Sequence, residues 1–261
     1  MTEVTSKYQE LISRNWGFIS PDIQSRMRET SILLAGCGLG SNIALLAART
    51  GFSKFILADG DSVEINNLNR QTFLSSHIGR NKAEATAELI KGVNSEAEIN
   101  IFPEFISENN TLELVSKADF IINTVDPGPV LFKLNSEAQI QNKVVLFPLN
   151  IGFGGLAFVF TNRSSTLEEM TGDNVPVHEV FFSIIKNTIK NIPYLSFYVG
   201  DLSKSIDDIL SGKLPGPQLG IAAGINSALI VTAMIKILRG EELTLAPEPI
   251  AYDAWFSNQQ G

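Results

Sequence analysis

The chain has 261 residues, a net charge of −8 and 44% hydrophobic residues. That apolar content is enough for a sizeable core, which excludes a disordered chain. The acidic balance argues against a generic binder of nucleic acid or anionic membranes. One cysteine, Cys37, and two histidines exclude an intramolecular disulfide and a multi-cysteine zinc site. We therefore expect no zinc.

The first half of the chain alternates between predicted strands and predicted helices. A helix is expected to begin at Pro21 behind the capping residue Ser20, within a helix-compatible segment, residues 8–29. Further helices are predicted at 42–50 and 81–93. Short aliphatic runs predict strands at 31–35, 55–58, 99–102, 120–123 and 144–147. Such alternation predicts an α/β fold, a Rossmann-like, doubly wound and mostly parallel sheet.

The pattern changes after about residue 161. Residues 157–161 predict a strand, which we expect to be antiparallel, and 250–252 predict a last one. Between them, 164–213 is irregular, with one amphipathic helix at about 180–192 and a turn at Pro193-Tyr194. We expect one domain over 1–261, in which 164–213 is a crossover excursion where a substrate docks.

The longest apolar stretch, 219–239, approaches the length of a membrane span. Glycines and two polar residues, Asn226 and Ser227, interrupt it, so we predict a buried helix of a globular domain and no membrane contact. The first ten residues contain no apolar signal segment. We therefore expect a cytoplasmic protein.

A glycine-rich loop follows the first predicted strand and opens a helix. Gly36, Gly38 and Gly40 are spaced G-x-G-x-G, one residue short of the usual dinucleotide fingerprint. Alone, this spacing also fits a tight strand–helix turn. Asp59, however, lies 23 residues beyond Gly36 at the end of the second strand, where an acid accepts hydrogen bonds from ribose hydroxyls. The combination predicts a nucleotide site.

Two cations follow the predicted ribose acid, namely Arg70 and, 12 residues later, Lys82. Positive charge beside one mononucleotide suits a triphosphate whose α-phosphorus is attacked, because a guanidinium stays charged and grips two phosphate oxygens. A nicotinamide dehydrogenase has no need of them. The alternative is that both cations pair with local acids such as Glu64 and Glu84 on a solvated surface.

At this point the sequence resembles the ThiF–MoeB–HesA family, the adenylating domains of ubiquitin-activating-type enzymes. The most specific match is Asn-Leu-Asn-Arg-Gln, residues 67–71, which resembles that family's block after the ribose acid. The resemblance covers about 11–163 and 215–254. Further segments that carry it are Ser13-Arg14-Asn15 with Gly17 and Gln24, Gly79 to Lys82, Thr124 to Asp126, Pro215 to Gly240, and Tyr252 to Ala254.

The resemblance implies a role for each matched residue. Asp59 and Asp61 would hold the ribose, and Asp126 would organise Mg²⁺ and the α-phosphate. Arg14 would reach the ATP of a neighbouring subunit, which implies a homodimer. The side chains that would line the triphosphate are Asn67, Arg70, Gln71 and Lys82. A carboxylate needs no general base to attack, and the sequence accordingly offers cations and an aspartate.

The chain also departs from the family pattern. Its glycine loop is one residue shorter, and Pro127-Gly128-Pro129 follows Asp126 where the family has Asn and a downstream Arg, for which Lys133 is a candidate replacement. The family's zinc cysteines and crossover cysteine are missing. We interpret Cys37 as a small loop residue and give neither His77 nor His178 a catalytic role. A loop acid ahead of Pro127 is the alternative for Asp126.

We therefore expect an ATP-dependent adenylyltransferase that activates a carboxylate as an acyl-adenylate. The expected partner is the C-terminal glycine of a small ubiquitin-like carrier protein, or a peptide. Within the same family, activation of a small carboxylate or of a modified tRNA base is an alternative, with tRNA less favoured. Other classes left open are a catalytically silent scaffold of this fold and an NAD-dependent oxidoreductase.

Overall fold

The structure, a computed structural model, describes residues 6–172, 175–189, 191–192, 195–202 and 205–256. The predicted turn at Pro193-Tyr194 lies outside the described residues. The strands are β1 Ser31–Ala35, β2 Lys54–Ala58, β3 Glu98–Phe102, β4 Phe120–Asn123, β5 Val144–Ile151, β6 Gly154–Phe160 and β7 Ile250–Asp253. The helices are α1 Lys7–Leu11, α2 Pro21–Glu29, α3 Leu39–Thr50, α4 Lys82–Val93, α5 Glu108–Ser116, α6 Pro129–Ile140, α7 Leu167–Thr171, α8 Val180–Ile189, α9 Leu195–Leu202, α10 Ile206–Leu210 and α11 Gly220–Leu238.

The strands form one sheet in the order β3-β2-β1-β4-β5-β6-β7. The first five strands are parallel to their neighbours, and β6 and β7 are added antiparallel. The predicted fold class is therefore confirmed, including the antiparallel direction of β6. Because the carboxyl ends of β1, β2 and β4 meet at one edge, the loops that follow them lie side by side there.

Helices cover both faces of the sheet, and the alternation of β1 shows how. Ile32 and Leu34 point into a core that also contains Ile43 of α3 and Met234 of α11. Leu33 points to the opposite core, which α5, α6 and α8 close. Burial on both faces explains why β1 is apolar throughout, as parallel strands of doubly wound sheets are.

Two element boundaries differ from the sequence prediction. Helix α3 begins at Leu39, three residues earlier than expected, so that Gly40 lies in its first turn. Strand β5 continues through Pro148 to Ile151, four residues beyond its predicted end at Phe147. Its pairing with β4 stops at Leu146, so the missing N–H of Pro148 deprives no parallel partner of a hydrogen bond.

The excursion 164–213 contains more regular structure than predicted. Besides α8, where the amphipathic helix was expected, short helices form at α7, α9 and α10. Thr166 starts α7 with a capping box, a local signal in a segment too short to show helical periodicity. Within α8, Val180 and Ile184 are fully buried, so these apolar residues of the amphipathic helix face the core.

In the hairpin of β5 and β6, β5 extends five residues beyond Leu146, its last residue paired with β4, which is about 16 Å at about 3.3 Å for each strand residue. At its tip, Gly152 has φ +52°, and a Cβ there would lie 2.2 Å from the ring of Tyr198 in α9. The Tyr198 hydroxyl donates to the Oδ2 of buried Asp253 at 2.9 Å. These contacts hold the excursion against the β5–β6 hairpin and β7.

Helix α11 packs against α3, β5 and β6, as expected for a core helix. By length and composition it could also cross a membrane, and 44% of its most apolar window is buried. Asn226 and Ser227 both lie on the buried side, where the Asn226 Nδ2 donates to the Asn150 Oδ1 at 2.7 Å. The prediction of a buried helix holds for that side.

Candidate nucleotide-binding site

Each glycine of the loop after β1 meets a different steric requirement. Gly36 has φ +90°, and a Cβ there would lie 2.8 Å from the Oγ1 of Thr124. Gly38 is the N-cap of α3 and supplies no capping side chain, which leaves the first N–H groups of the helix available to an anion. A Cβ on Gly40 would come within 3.3 Å of the same Oγ1. The three roles match those of a nucleotide-binding loop despite the shortened spacing.

Thr124 holds the loop after β4 against the glycine loop. Its backbone N–H donates to the Ala35 carbonyl at 2.8 Å, and its hydroxyl lies within hydrogen-bond distance of the Ala35 and Gly36 carbonyls, at 3.1 and 2.9 Å. In the sequence this residue is visible only as part of a motif. Its role depends on the pairing of β4 with β1, so chain order alone does not reveal it.

Asp59 lies at the end of β2 and turns its carboxylate toward the glycine loop. Oδ2 accepts the N–H of Cys37 at 2.6 Å, and Oδ1 accepts the N–H of Asp61 at 2.8 Å. Burial raises the pKa of Asp59, while these two N–H donors and nearby Lys82 act in the opposite direction. The structure thus places the expected ribose acid beside the loop.

Lys82 is directed to the same place by the cap of α4. The Asn81 side chain accepts the N–H groups of Ala83 and Glu84, and its Nδ2 donates to the Asp59 carbonyl at 2.9 Å. The Lys82 ammonium then forms an ion pair with Asp61 at 2.9 Å, where the Lys82 side chain is 11% exposed and that of Asp61 is 47% exposed. The acid that pairs with Lys82 is therefore Asp61, not Glu84.

The Asn-Leu-Asn-Arg-Gln block forms a compact turn over the start of α3. Asn67 is buried, its Oδ1 accepts the Glu64 N–H at 3.0 Å, and its carbonyl accepts the N–H groups of Arg70 and Gln71. Gln71 lies above Gly38, where a Cβ would be 3.1 Å from its Nε2. The Gln71 Oε1 is buried without a hydrogen-bond partner, which makes it available to a ligand group.

Arg70 is held by neutral acceptors, and not by Glu64, the acid named in the alternative interpretation. Its Nη1 donates to the Asn66 carbonyl and to the Asn69 Oδ1, both at 2.8 Å, and its Nε donates to the Gln218 Oε1 at 3.0 Å. Gln218 was not singled out from sequence. It lies 148 residues away, and no local pattern marks such a contact.

Asp126 lies exposed in the loop between β4 and α6, next to the strand that carries the glycine loop. The candidate replacement cation, Lys133, is 3.6 Å from Glu137 on its own helix. Among the described residues, no group of three or more acidic, histidine or cysteine side chains lies together. One carboxylate fits Mg²⁺ held mainly by substrate phosphates, since that ion takes about one or two protein carboxylates and keeps several waters.

Arg14 is not brought together with the other predicted residues. Its neighbour Asn15 donates to the Thr50 carbonyl at 2.9 Å, which fixes this segment to the C-terminal end of α3. The glycine loop is at the other end of that helix, about 18 Å away for 12 residues. Arg14 is exposed, and so are Trp16 and Phe18 beside it, at 79% and 86%.

The cysteine and the two histidines have the structural positions expected of them. Cys37 is fully buried in the loop, and burial together with nearby Asp59 raises the pKa of its thiol well above the usual range. His77 is buried, with its Nδ1 accepting the Leu74 N–H at 3.1 Å. His178 is exposed beside Glu179.

A doubly wound sheet whose glycine loop, ribose acid and cations meet at one edge defines a nucleotide-binding α/β protein. The profile of the ThiF family matches residues 11–260, and the chain belongs to that family. A solved structure of PaaA superposes with a TM-score of 0.67 at 20% identity, covering 97% of this chain and 85% of that one. That likeness supports the fold.

Curated relatives carry two kinds of names. The sulfur carrier protein adenylyltransferase of Thermus thermophilus is 24% identical over 90% of this chain and 79% of its own length. The adenylyltransferase and sulfurtransferase MOCS3-1 of Zea mays is 28% identical over 54% of this chain, which spans only 31% of that protein. The tRNA threonylcarbamoyladenosine dehydratase of Haemophilus influenzae is 34% identical, over 41% of this chain and 42% of its own length.

Proposed function

We propose that this protein uses ATP to adenylate a carboxylate, that of the C-terminus of a small ubiquitin-like carrier protein or peptide. The observation that carries the proposal is the convergence of Gly36, Asp59, Arg70, Lys82 and Asp126 on one sheet edge, with two cations beside an uncapped helix N-terminus. The names of the Thermus and maize relatives support the same activity.

In the proposed reaction, a carboxylate oxygen attacks the α-phosphorus of ATP. A new O–P bond forms as the bond to the pyrophosphate oxygen breaks, giving an acyl-adenylate and pyrophosphate without proton transfer. Asp59 accepts hydrogen bonds from the ribose, the N-terminus of α3 holds phosphate oxygens, and Arg70 and Lys82 stabilise the charge that grows on the leaving group. Mg²⁺, held by Asp126, would neutralise further phosphate charge.

The proposed activation of the carboxylate ends with the acyl-adenylate. Cys37 is the one cysteine of the chain and lies buried in the glycine loop, so it cannot serve as a thioester nucleophile. The acceptor of the activated group is therefore not a cysteine of these 261 residues. Tyr198 holds the excursion, residues 164–213, against the β5–β6 hairpin. We expect the C-terminal tail of the carrier protein to bind at this excursion.

The same proposal includes a homodimer in which Arg14 acts on the partner's ATP. Supporting it are the distance of Arg14 from its own glycine loop and the exposed Trp16 and Phe18 beside it. Mixing an Arg14→Ala variant with an Arg70→Ala variant should restore activity, because one site of each mixed dimer keeps both arginines. No restoration, or a monomer in analytical ultracentrifugation, would remove the dimer from the proposal.

The test of the activity is ATP–pyrophosphate exchange and AMP release with Mg²⁺, screened against small carrier proteins, peptides and tRNA. Exchange that depends on a carrier or peptide and collapses in Arg70→Ala supports the proposal. Exchange that persists in Arg70→Ala contradicts the mechanism. Turnover with tRNA alone would favour dehydratase-type chemistry, for which the Haemophilus relative is the supporting observation.

A further inference from the structure

The residues that precede α11 contact the Arg70 segment at three points. The Arg70 Nε donates to the Gln218 Oε1 at 3.0 Å, and the Asn69 Nδ2 donates to the Gln218 carbonyl at 3.2 Å. A Cβ on Gly220 would lie 2.7 Å from the Asn69 carbonyl oxygen, so the two backbones touch. Residues 218–220, which follow the crossover excursion at the start of α11, are therefore fixed to the triphosphate side of the nucleotide site.

The contact with Gln218 completes the set of acceptors that orients the Arg70 guanidinium. The other two, the Asn66 carbonyl and the Asn69 Oδ1, both accept from Nη1 at 2.8 Å. Together they use the Nε and Nη1 donors, while no described residue offers Nη2 an acceptor within hydrogen-bond distance. Because all three acceptors are neutral, the charge of Arg70 is directed but not cancelled.

We propose that Gln218 is a positioning residue for Arg70, directing the free Nη2 group of the guanidinium at the β- and γ-phosphates of ATP. This inference rests on the proposed function, because it assumes that a triphosphate occupies the site. It explains a neutral side chain at this position, since a carboxylate would pair with Arg70 and compete with the phosphates. It also connects the segment between the crossover excursion and α11 to the leaving group.

A purely structural role for Gln218 would tie α11 to the turn at 66–71 and affect any nucleotide alike. If Gln218 positions Arg70, its loss weakens only the binding of the β- and γ-phosphates. Binding of AMP and of the non-hydrolysable ATP analogue AMPCPP with Mg²⁺ therefore separates the two roles, and needs no knowledge of the carrier.

The experiment is calorimetric titration of the full chain and of Gln218→Met, which keeps the side-chain length and removes the acceptor. We expect AMPCPP affinity to fall by about three- to tenfold, the net size of one lost hydrogen bond, and AMP affinity to change by less than about twofold. Gln141→Met is the matched control, since Gln141 follows α6 at the opposite edge of the sheet. It should bind both nucleotides as the wild type does.

A double variant completes the test. In an Arg70→Ala background, adding Gln218→Met should weaken AMPCPP binding further by less than about twofold, because Gln218 then has no guanidinium to orient. Equal loss of AMP and AMPCPP binding, unchanged AMPCPP binding, or full additivity with Arg70→Ala would overturn the inference. A wild type that binds no AMPCPP would instead overturn the proposed function itself, which this design recognises first.

Discussion

The ion pair between Lys82 and Asp61 predicts an asymmetry between its two partners. The Lys82 side chain is 11% exposed, whereas that of Asp61 is 47% exposed. Replacing the acid, as in Asp61→Asn, leaves a nearly buried ammonium without its counter-charge. Replacing the lysine, as in Lys82→Met, leaves Asp61, a carboxylate that water already reaches, and puts a side chain of similar length in the same place.

The magnitude follows from that difference. Removing one partner of a fully buried pair costs about 3–5 kcal/mol, and the half-exposed acid reduces this to about 2 kcal/mol here. In a chain of this size, about 2 kcal/mol lowers Tm by about 4–8 °C. Lys82→Met should cost less than about 1 kcal/mol, as for an exposed pair.

Thermal melts with and without Mg²⁺ and AMPCPP provide the assay. Phosphate oxygens that approach Lys82 replace Asp61 as its partner, so the analogue should raise the Tm of Asp61→Asn by more than it raises that of the wild type. It should raise the Tm of Lys82→Met least. Equal destabilisation by the two substitutions would refute the burial argument. A smaller rise in Asp61→Asn than in the wild type would instead assign Asp61 to the ribose.

Three further outcomes are expected. Gly36→Ala should lower the free energy of unfolding by about 2–4 kcal/mol in denaturant melts, from its positive φ and its clash with Thr124, whereas Gly92→Ala, at an open position, should not. Because burial raises the pKa of Asp59, this carboxylate protonates at a higher pH than an ordinary aspartate as the solution is acidified; AMPCPP affinity should therefore fall faster on acidification in the wild type than in Asp59→Asn. With its pKa raised, the Cys37 thiol should resist a disulfide reagent at pH 8 until the protein unfolds, and rapid labelling of the native protein would contradict its burial.

How far sequence predicted the fold depended on whether the signal was local. Strand β1 was predicted over its full range because glycines end the apolar run at Ala35. Helix α2 begins where Ser20 and Pro21 placed it. The continuation of β5 through Pro148 could not be predicted, because proline is acceptable there only where β4 has already ended. The sequence does not show this, because it depends on the register between the two strands.

The same division applies to the site. The acids and cations were found because their chemistry and spacing are visible along the chain. The residues that position them were not: Thr124 acts through the pairing of β4 with β1, and Gln218 meets Arg70 across 148 residues. Asn81 was visible only as part of the matched run. Its hydrogen bond to the Asp59 carbonyl, which directs Lys82, exists only once β2 and α4 are packed.

The two cations are held in different ways, and on the proposed reaction this difference separates their contributions. Arg70 is bound by neutral acceptors. A phosphate can therefore pair with Arg70 without displacing a carboxylate, and the two groups attract each other as soon as ATP binds. Lys82 already forms an ion pair with Asp61, so a phosphate must compete with that carboxylate in order to pair with Lys82. That competition is won most easily when negative charge on the leaving pyrophosphate is largest. An interaction that strengthens between bound substrate and transition state lowers the barrier, whereas one that is equally strong in both serves binding. Arg70 therefore contributes chiefly to ATP affinity and Lys82 chiefly to the chemical step.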